Sequence, residues 1–346
     1  MKIFHICAGW QKWNGAANIA RMIMDEQRRE GHEVSFATWA KVRELRAADE
    51  VWIHCGWLPC LWWAALWGRN VHWMPEACYD SVRLRYHGWK KWLVGPIERW
   101  CLRRCDRIVA TCEAEKGWIE AYLGKHCPPI EVTDIKRFFN LNPVNPVNPV
   151  KKDLHLLYLG RRHPLKGLSY LETALATYYN KWSSAPSSLA PTTACADNPS
   201  SNPSRKAATY YNKCPIEFRV VSDAFGDELE RVWDWCDVLV LPTLSENFGL
   251  VIAEALERGK CVITTDGAPA WGDNLSRAAG RSWSSELELE SGSLNSPVEH
   301  EDDGEILFGY DGRLIYLKGY RDGSNEQRVE LLKNAIEKLC RAGHKG

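Results

Sequence analysis

Short apolar runs alternate with segments of helical period along most of the chain. Lys2–Cys7, Glu33–Ala37, Glu50–Cys55 and Arg107–Cys112 read as β-strands, and a helix is predicted from about Ala16 to Glu30. The alternation resumes with a strand at Leu154–Leu159, a helix after Lys166, strands at Ile216–Val221 and Asp237–Leu241, a helix over Gly249–Arg258 and a strand at Cys261–Thr265. Strand–helix–strand traffic of this kind predicts α/β architecture with doubly wound, mainly parallel sheets in both halves. A β run over Tyr310–Arg321 and an amphipathic helix over Asn325–Arg341, with Val329, Leu331, Leu332, Ala335, Ile336 and Leu339 as its apolar residues, close the pattern.

Three segments interrupt it. Asn142-Pro-Val-Asn-Pro-Val-Asn-Pro-Val150 repeats a three-residue unit whose prolines forbid helix and favour extended backbone, as in an interdomain linker. Ala-Thr-Tyr-Tyr-Asn-Lys occurs at 176–181 and again at 208–213, around a stretch rich in Ser, Pro, Ala and Thr, which reads as a duplication with a disordered insert at 182–207. Residues 282–305 are acidic and Ser-rich and read as a surface loop. The expected organisation is therefore an amino-terminal domain over 1–141, a linker over 142–152, a carboxyl-terminal domain over 153–325, and a closing helix over 326–346 that packs on the core or back across the domain interface.

Composition narrows the function. The 346 residues suit two domains, and 45% apolar with 25% charged residues is ordinary for a globular chain. Lys+Arg and Asp+Glu both total 44, which removes the global positive field of a nonspecific nucleic-acid binder. The first 150 residues hold 21 basic against 16 acidic side chains and 13 of the 18 Trp, so the halves differ in surface. Thirteen Cys occur without a C-x-x-C pair, most of them in apolar stretches, as expected of buried reduced thiols in a cytoplasmic protein. No charged and apolar leader precedes the first strand, and the longest apolar run, Trp57–Trp67, is too short for a span that needs about 20 helical residues.

Two strand-to-helix connections carry candidate chemistry. Gly160-Arg-Arg-His-Pro-Leu-Lys-Gly167 follows a strand and precedes a helix; Gly160 permits close backbone approach, and Arg161 and Lys166 flank a helix start, which suits a diphosphate. Solvated loop cations are the alternative reading. In Pro242-Thr-Leu-Ser-Glu-Asn-Phe-Gly-Leu-Val-Ile-Ala-Glu254, Glu246 falls in the turn after a strand and Gly249 opens a helix, at the strand ends where open α/β sheets bind ligands. Glu254 lies two turns on, where a carboxylate can accept from vicinal hydroxyls or, alternatively, pair with Arg258 on the surface.

These stretches resemble the retaining glycosyltransferases of family 4, which have the GT-B fold. The resemblance rests on Glu246 and Glu254 in an E-x7-E spacing, on G-R-x-x-x-x-K-G at 160–167, on Cys261-Val-Ile-Thr-Thr-Asp-Gly-Ala-Pro269, and on Trp13-Asn-Gly-Ala-Ala17 before Arg29-Glu-Gly-His-Glu-Val34. It implies two Rossmann-like domains facing across a cleft, a UDP- or GDP-linked sugar donor held by the carboxyl-terminal domain, and an acceptor held mainly by the amino-terminal one. By position, Arg161 and Lys166 would neutralise the donor diphosphate, with Gly15 and Gly160 close to the donor. Glu246 and the backbone at Asn247, Phe248, Gly249 and Leu250 would hold the sugar, and Glu254 the ribose. No Asp-x-Asp occurs, which fits leaving-group stabilisation without a metal, and no cofactor is expected. Family members often carry a His after an amino-domain strand; here Asn70-Val-His-Trp-Met-Pro-Glu-Ala77 offers His72 and Glu76 as catalytic candidates, with His163 ranked below them. A nucleotide-sugar epimerase of similar fold and a non-catalytic nucleotide-sugar or glycan-binding protein are the other functions such a chain could serve.

Between Arg83 and Arg107 stand eight basic and two acidic residues interleaved with Trp89, Trp92 and Trp100. At helical spacing this is either an anionic membrane surface site or a solvated face packing its Trp inward. With the Trp-rich stretch before it, the segment suggests a cytoplasmic enzyme peripheral to the membrane that extends a lipid-linked glycan of the lipopolysaccharide type. No nucleic-acid recognition motif accompanies the basic residues.

Overall fold

The computed structural model describes residues 1–7, 15–55, 59–76, 78–141, 154–182, 216–222, 224–272, 275, 305–310 and 313–343. The linker 142–152, Trp13 and Asn14 of the glycine stretch, and nearly all of the two inserts lie outside them. The chain forms two compact units, one of Met1–Leu141 with Leu244–Glu254 and Gly267–Asp273, the other of Asn142–Thr243 with Ala255–Asp266 and Asn274–Gly346. The segment with the E-x7-E spacing, which the sequence assigns to the second half, thus packs with the first unit.

The first unit is built on a sheet of β1 (Lys2–Cys7), β2 (Glu33–Ala37), β3 (Glu50–His54), β4 (Val71–Met74), β5 (Arg107–Ala110) and β6 (Ile130–Val132), in the order β2-β1-β3-β4-β5-β6 and parallel throughout. Helices α1 (Gly15–Arg29), α2 (Val42–Ala47), α3 (Pro59–Trp67), α4 (Ser81–Leu102) and α5 (Glu113–Leu123) connect the strands. Strands covered on both faces need continuous apolar runs, and Ile3, Ile6, Val51, Ile53, Val71, Trp73 and Ile108 form the core. His5 and His54 are fully buried exceptions. α1 turns Ile19, Ala20, Ile23, Met24 and Gln27 inward at helical spacing. α4 starts where Asp80 accepts from the Val82 amide at 3.1 Å and continues through Pro96, which lacks the donor for the carbonyl four residues back.

The second unit contains β7 (Leu154–Leu159), β8 (Ile216–Val221), β9 (Val238–Leu241), β10 (Cys261–Thr265), β11 (Glu305–Gly309) and β12 (Leu314–Lys318), ordered β11-β12-β10-β9-β7-β8. All pairs are parallel except β11 with β12. Glu305, placed in a loop by composition, is the first residue of this antiparallel edge strand; Trp182, likewise placed in an insert, ends α6 (Leu168–Trp182). Helices α7 (Asp227–Trp235), α8 (Leu250–Glu257) and α9 (Asn325–Gly343) complete the described elements. α9 packs on α6, where Arg328 lies over the Tyr170 ring at 5.2 Å and Asn325 accepts from the Tyr170 hydroxyl at 3.0 Å. The buried Arg313 donates from Nη1 to the Leu256 carbonyl at 2.8 Å and so caps the end of α8.

The ten described cysteines are free thiols, eight of them buried. Burial raises the Cys7, Cys236 and Cys261 thiols to about 12.

Candidate active site

In the second unit the connection from β7 to α6 is fixed by close packing. Gly167 has φ 68°, and a Cβ there would stand 1.8 Å from the Pro242 carbonyl oxygen, so no other residue fits. Thr243 donates from Oγ1 to the Leu165 carbonyl at 3.1 Å, and Thr265 donates to the Thr243 carbonyl, which ties the ends of β7, β9 and β10 together. Arg161 is exposed beyond Gly160, its carbonyl receiving the Tyr158 hydroxyl at 2.9 Å, and Lys166 is half-buried in the turn before α6. His163 accepts the Leu165 amide on Nδ1 at 3.2 Å, which makes it the cap of this turn. A helix start flanked by two cations at strand carboxyl ends is an anion-binding arrangement.

In the first unit the motif loop is anchored at several points. The Glu246 amide donates to the Gly267 carbonyl at 2.7 Å, and the Trp271 indole donates to the Phe248 carbonyl. Phe248 is buried between Phe139 (6.2 Å) and Trp271 (5.1 Å), so its ring anchors the loop while Glu246 and Asn247 before it stay partly exposed. Gly249 has φ 72° and permits the turn into α8. Glu246 keeps its side chain 16% exposed, and Leu250 and Glu254 are half-buried on the first turns of α8.

Residues that the sequence reading passed over hold this loop. Arg83 on α4 donates from Nε to Ser245 Oγ at 2.9 Å, reaches Glu246 Oε1 at 4.0 Å from Nη2, and contacts the Glu76 carbonyl at 3.5 Å from Nη1. The Ser245 hydroxyl proton goes to the fully buried Asp80. Thr111, just after β5, has its Oγ1 2.7 Å from Glu115 Oε2 and 2.9 Å from Asn247 Oδ1, two acceptors that share its one hydroxyl proton. Signals existed for some of these: Asp80-Ser81 before a helical run is a helix-cap pattern, and Thr111 stands at a strand's carboxyl end.

The two amino-domain candidates occupy different places. Glu76 follows the carboxyl end of β4 with φ 58°, unusual for a side chain with a Cβ, and burial drives its carboxyl well above the ordinary range. Arg83 links its backbone to the motif loop. His72 lies in β4 between Trp52, stacked at 4.8 Å, and Glu50 at 3.8 Å, with Asn70 at 3.3 Å, near the amino ends of β3 and β4. Desolvation lowers its pKa. Gly15 opens α1, and space is open around its Cβ position.

Comparison with known proteins bears on both halves. Residues 39–133 match the family described as "Glycosyl transferase 4-like domain", and residues 153–276 match "Glycosyl transferases group 1". Among solved structures, sucrose-phosphate synthase from Thermosynechococcus elongatus aligns over 100% of this chain and 93% of its own, at 11% identity and TM-score 0.55. Anabaena HepE in complex with UDP-glucose aligns over 99% of this chain and 92% of its own, at 14% identity and TM-score 0.51. No curated protein sequence matches. With two α/β sheets in place and a glycosyltransferase segment matched in each half, the chain is a glycosyltransferase of the GT-B type.

Proposed function

We propose that this protein transfers a sugar from a UDP- or GDP-linked donor, with retention of anomeric configuration, to a glycan or lipid-linked glycan. The observation that carries the reading is the anchoring of the motif loop: Ser245, Asn247 and Phe248 are each held by a separate partner, which fixes the partly exposed Glu246 carboxylate, itself accepting the Asn247 amide, beside Arg83. HepE, a structural neighbour, was solved with UDP-glucose, which supports a nucleotide-sugar donor here.

In this reading Arg161, Lys166 and the amides opening α6 stabilise the charge that builds on the departing phosphate. Such preorganised groups act more strongly on the transition state than on the bound donor. Glu246 and the backbone of 247–250 hold the sugar, Glu254 takes the ribose hydroxyls, and Glu76 faces the transfer. Because fixed cations supply the stabilisation, transfer proceeds in chelator.

α4 supports a membrane-bound acceptor. Trp89 is 68% and Trp92 80% exposed, and Tyr86, Leu93, Ile97 and Trp100 continue the same stripe. The inward-packed alternative for these Trp is therefore set aside. Arg85, Arg103 and Arg104 are exposed at its two ends, a charge pattern that suits anionic headgroups around an apolar insertion. No described helix is long and apolar enough to cross a membrane. We place the enzyme at the cytoplasmic face of a membrane on this basis.

The first experiment is thermal unfolding in chelator with UDP, GDP, ADP and CMP. A ligand at 100 times its dissociation constant adds about 2.7 kcal/mol, and Lys166→Ala with Glu254→Ala should remove that gain. Stabilisation by UDP or GDP followed by an NMR assignment of the product anomer confirms the reading; release of free nucleotide without transfer, or strict dependence on added Mg²⁺ or Mn²⁺, refutes it.

A further inference from the structure

A chain of buried polar groups runs across the first sheet and ends at Glu76. Gln27 of α1 presents Oε1 to His5 Nε2 at 2.8 Å, and His5 Nδ1 meets His54 Nε2 at 3.0 Å. His54 then turns Nδ1 toward Glu76 Oε1 at 3.6 Å, just beyond hydrogen-bond distance, and neither of these two buried atoms has a hydrogen-bond partner. His5 and His54 are fully buried and Glu76 is 7% exposed.

One orientation of the amide dictates the rest. Gln27 Oε1 can only accept, so His5 carries its proton on Nε2 and offers a bare Nδ1. His54 must therefore donate from Nε2, which leaves its Nδ1 lone pair aimed at the Glu76 carboxyl. A lone pair on one side and a carboxylate on the other would repel; a protonated carboxyl completes the chain. An ion pair of imidazolium and carboxylate at this depth would have to overcome the desolvation of two charges. The surroundings agree: burial disfavours a charge on Glu76 most strongly, the Glu115 carboxylate adds to it, and Arg83 opposes them. At the other end burial, helped by Arg28 and His72, disfavours a cation on His5 and outweighs the opposing Gln27 hydrogen bond.

We propose that Gln27, His5 and His54 are positioning residues that hold Glu76 as a neutral carboxylic acid at working pH, so that it meets substrate as an uncharged hydrogen-bonding group. The placement of Glu76 at the transfer site rests on the function proposed above; the protonation state does not.

Two measurements on the intact protein test this without turnover. Nitrogen-15 NMR should show His5 and His54 as neutral Nε2–H tautomers at pH 7. Infrared difference spectra between wild type and Glu76→Gln should show the carbonyl stretch of a protonated carboxyl at that pH. An imidazolium at His54, an Nδ1–H tautomer there, or a carboxylate at Glu76 overturns the proposal, even if transfer is confirmed. Gln27→Met removes the terminal acceptor and should lower the midpoint at which the Glu76 band is lost, whereas Gln27→Glu retains an acceptor and should keep it high. An unchanged midpoint in a folded Gln27→Met also overturns the proposal. The alkaline limb of the kcat profile should move with that midpoint; a failure of this arm alone removes Glu76 from the transfer site and leaves the buried chain standing.

Discussion

At the scale of single residues, steric and electrostatic facts lead to sharp outcomes. Gly167→Ala would drive a Cβ into the Pro242 carbonyl and force a left-handed backbone on alanine, so a loss of about 3 kcal/mol or more is expected in urea unfolding. Lys166→Ala should lower kcat by roughly 10²–10³-fold without unfolding the chain, the size seen when one preorganised charge-stabilising donor is removed. The buried histidines give the molecule an acid limb. Desolvation holds His5 down at about 4 against an ordinary 6.5, so below pH 6.5 the unfolded chain binds a proton that the folded chain refuses. Stability contributed this way is complete above pH 6.5 and falls by about 3 kcal/mol as pH drops to 4. His5→Phe should flatten that slope in thermal unfolding measured against pH. Glu76 has the opposite sign: its raised carboxyl makes the folded state the better proton binder above the usual carboxylate range, so Glu76→Gln should reduce the decline in stability as pH rises.

At the scale of elements, periodicity revealed most of the sheet strands because buried parallel strands need nearly continuous apolar runs, as β9 has without a break and β1 (from Ile3) and β7 have but for one histidine each. β11 escaped notice because it is an edge strand that follows an acidic stretch, and its exposure lets composition resemble a loop. The two strand-to-helix motifs were readable because their glycines and charges lie close in sequence. The clamp of Asp80, Arg83 and Thr111 on the motif loop was not, since 136 to 165 residues separate the partners and no local pattern records such a meeting. His72 illustrates the reverse: a histidine after a promising strand start proves to be stacked on Trp52, a contact set by pairing of β3 with β4. At the end of α8, the guanidinium of Arg313 meets a helix carbonyl in a dry setting, and Arg313→Met should cost about 2 kcal/mol in denaturant unfolding.

At the scale of the whole molecule, formal neutrality conceals an uneven surface, with an excess of basic over acidic side chains and most Trp in the first half. The exposed stripe of α4 concentrates both. Trp89→Ser with Trp92→Ser should abolish co-sedimentation with phosphatidylglycerol vesicles at low salt while leaving the melting temperature within a degree or so, because exposed side chains away from packing sites contribute little to stability. Equal binding of the double variant and wild type would assign the stripe to another partner.

The buried thiols give this chain a set of natural stopwatches. Cys7, Cys78 and Cys105 sit within the first sheet's packing, and Cys236, Cys261 and Cys340 within the second unit. A thiol hidden from solvent reacts with an alkylating reagent only after its surroundings open. The order in which these six positions acquire label, read by mass spectrometry over hours under native conditions, should therefore time the opening of each unit separately, with no probe introduced and no residue changed.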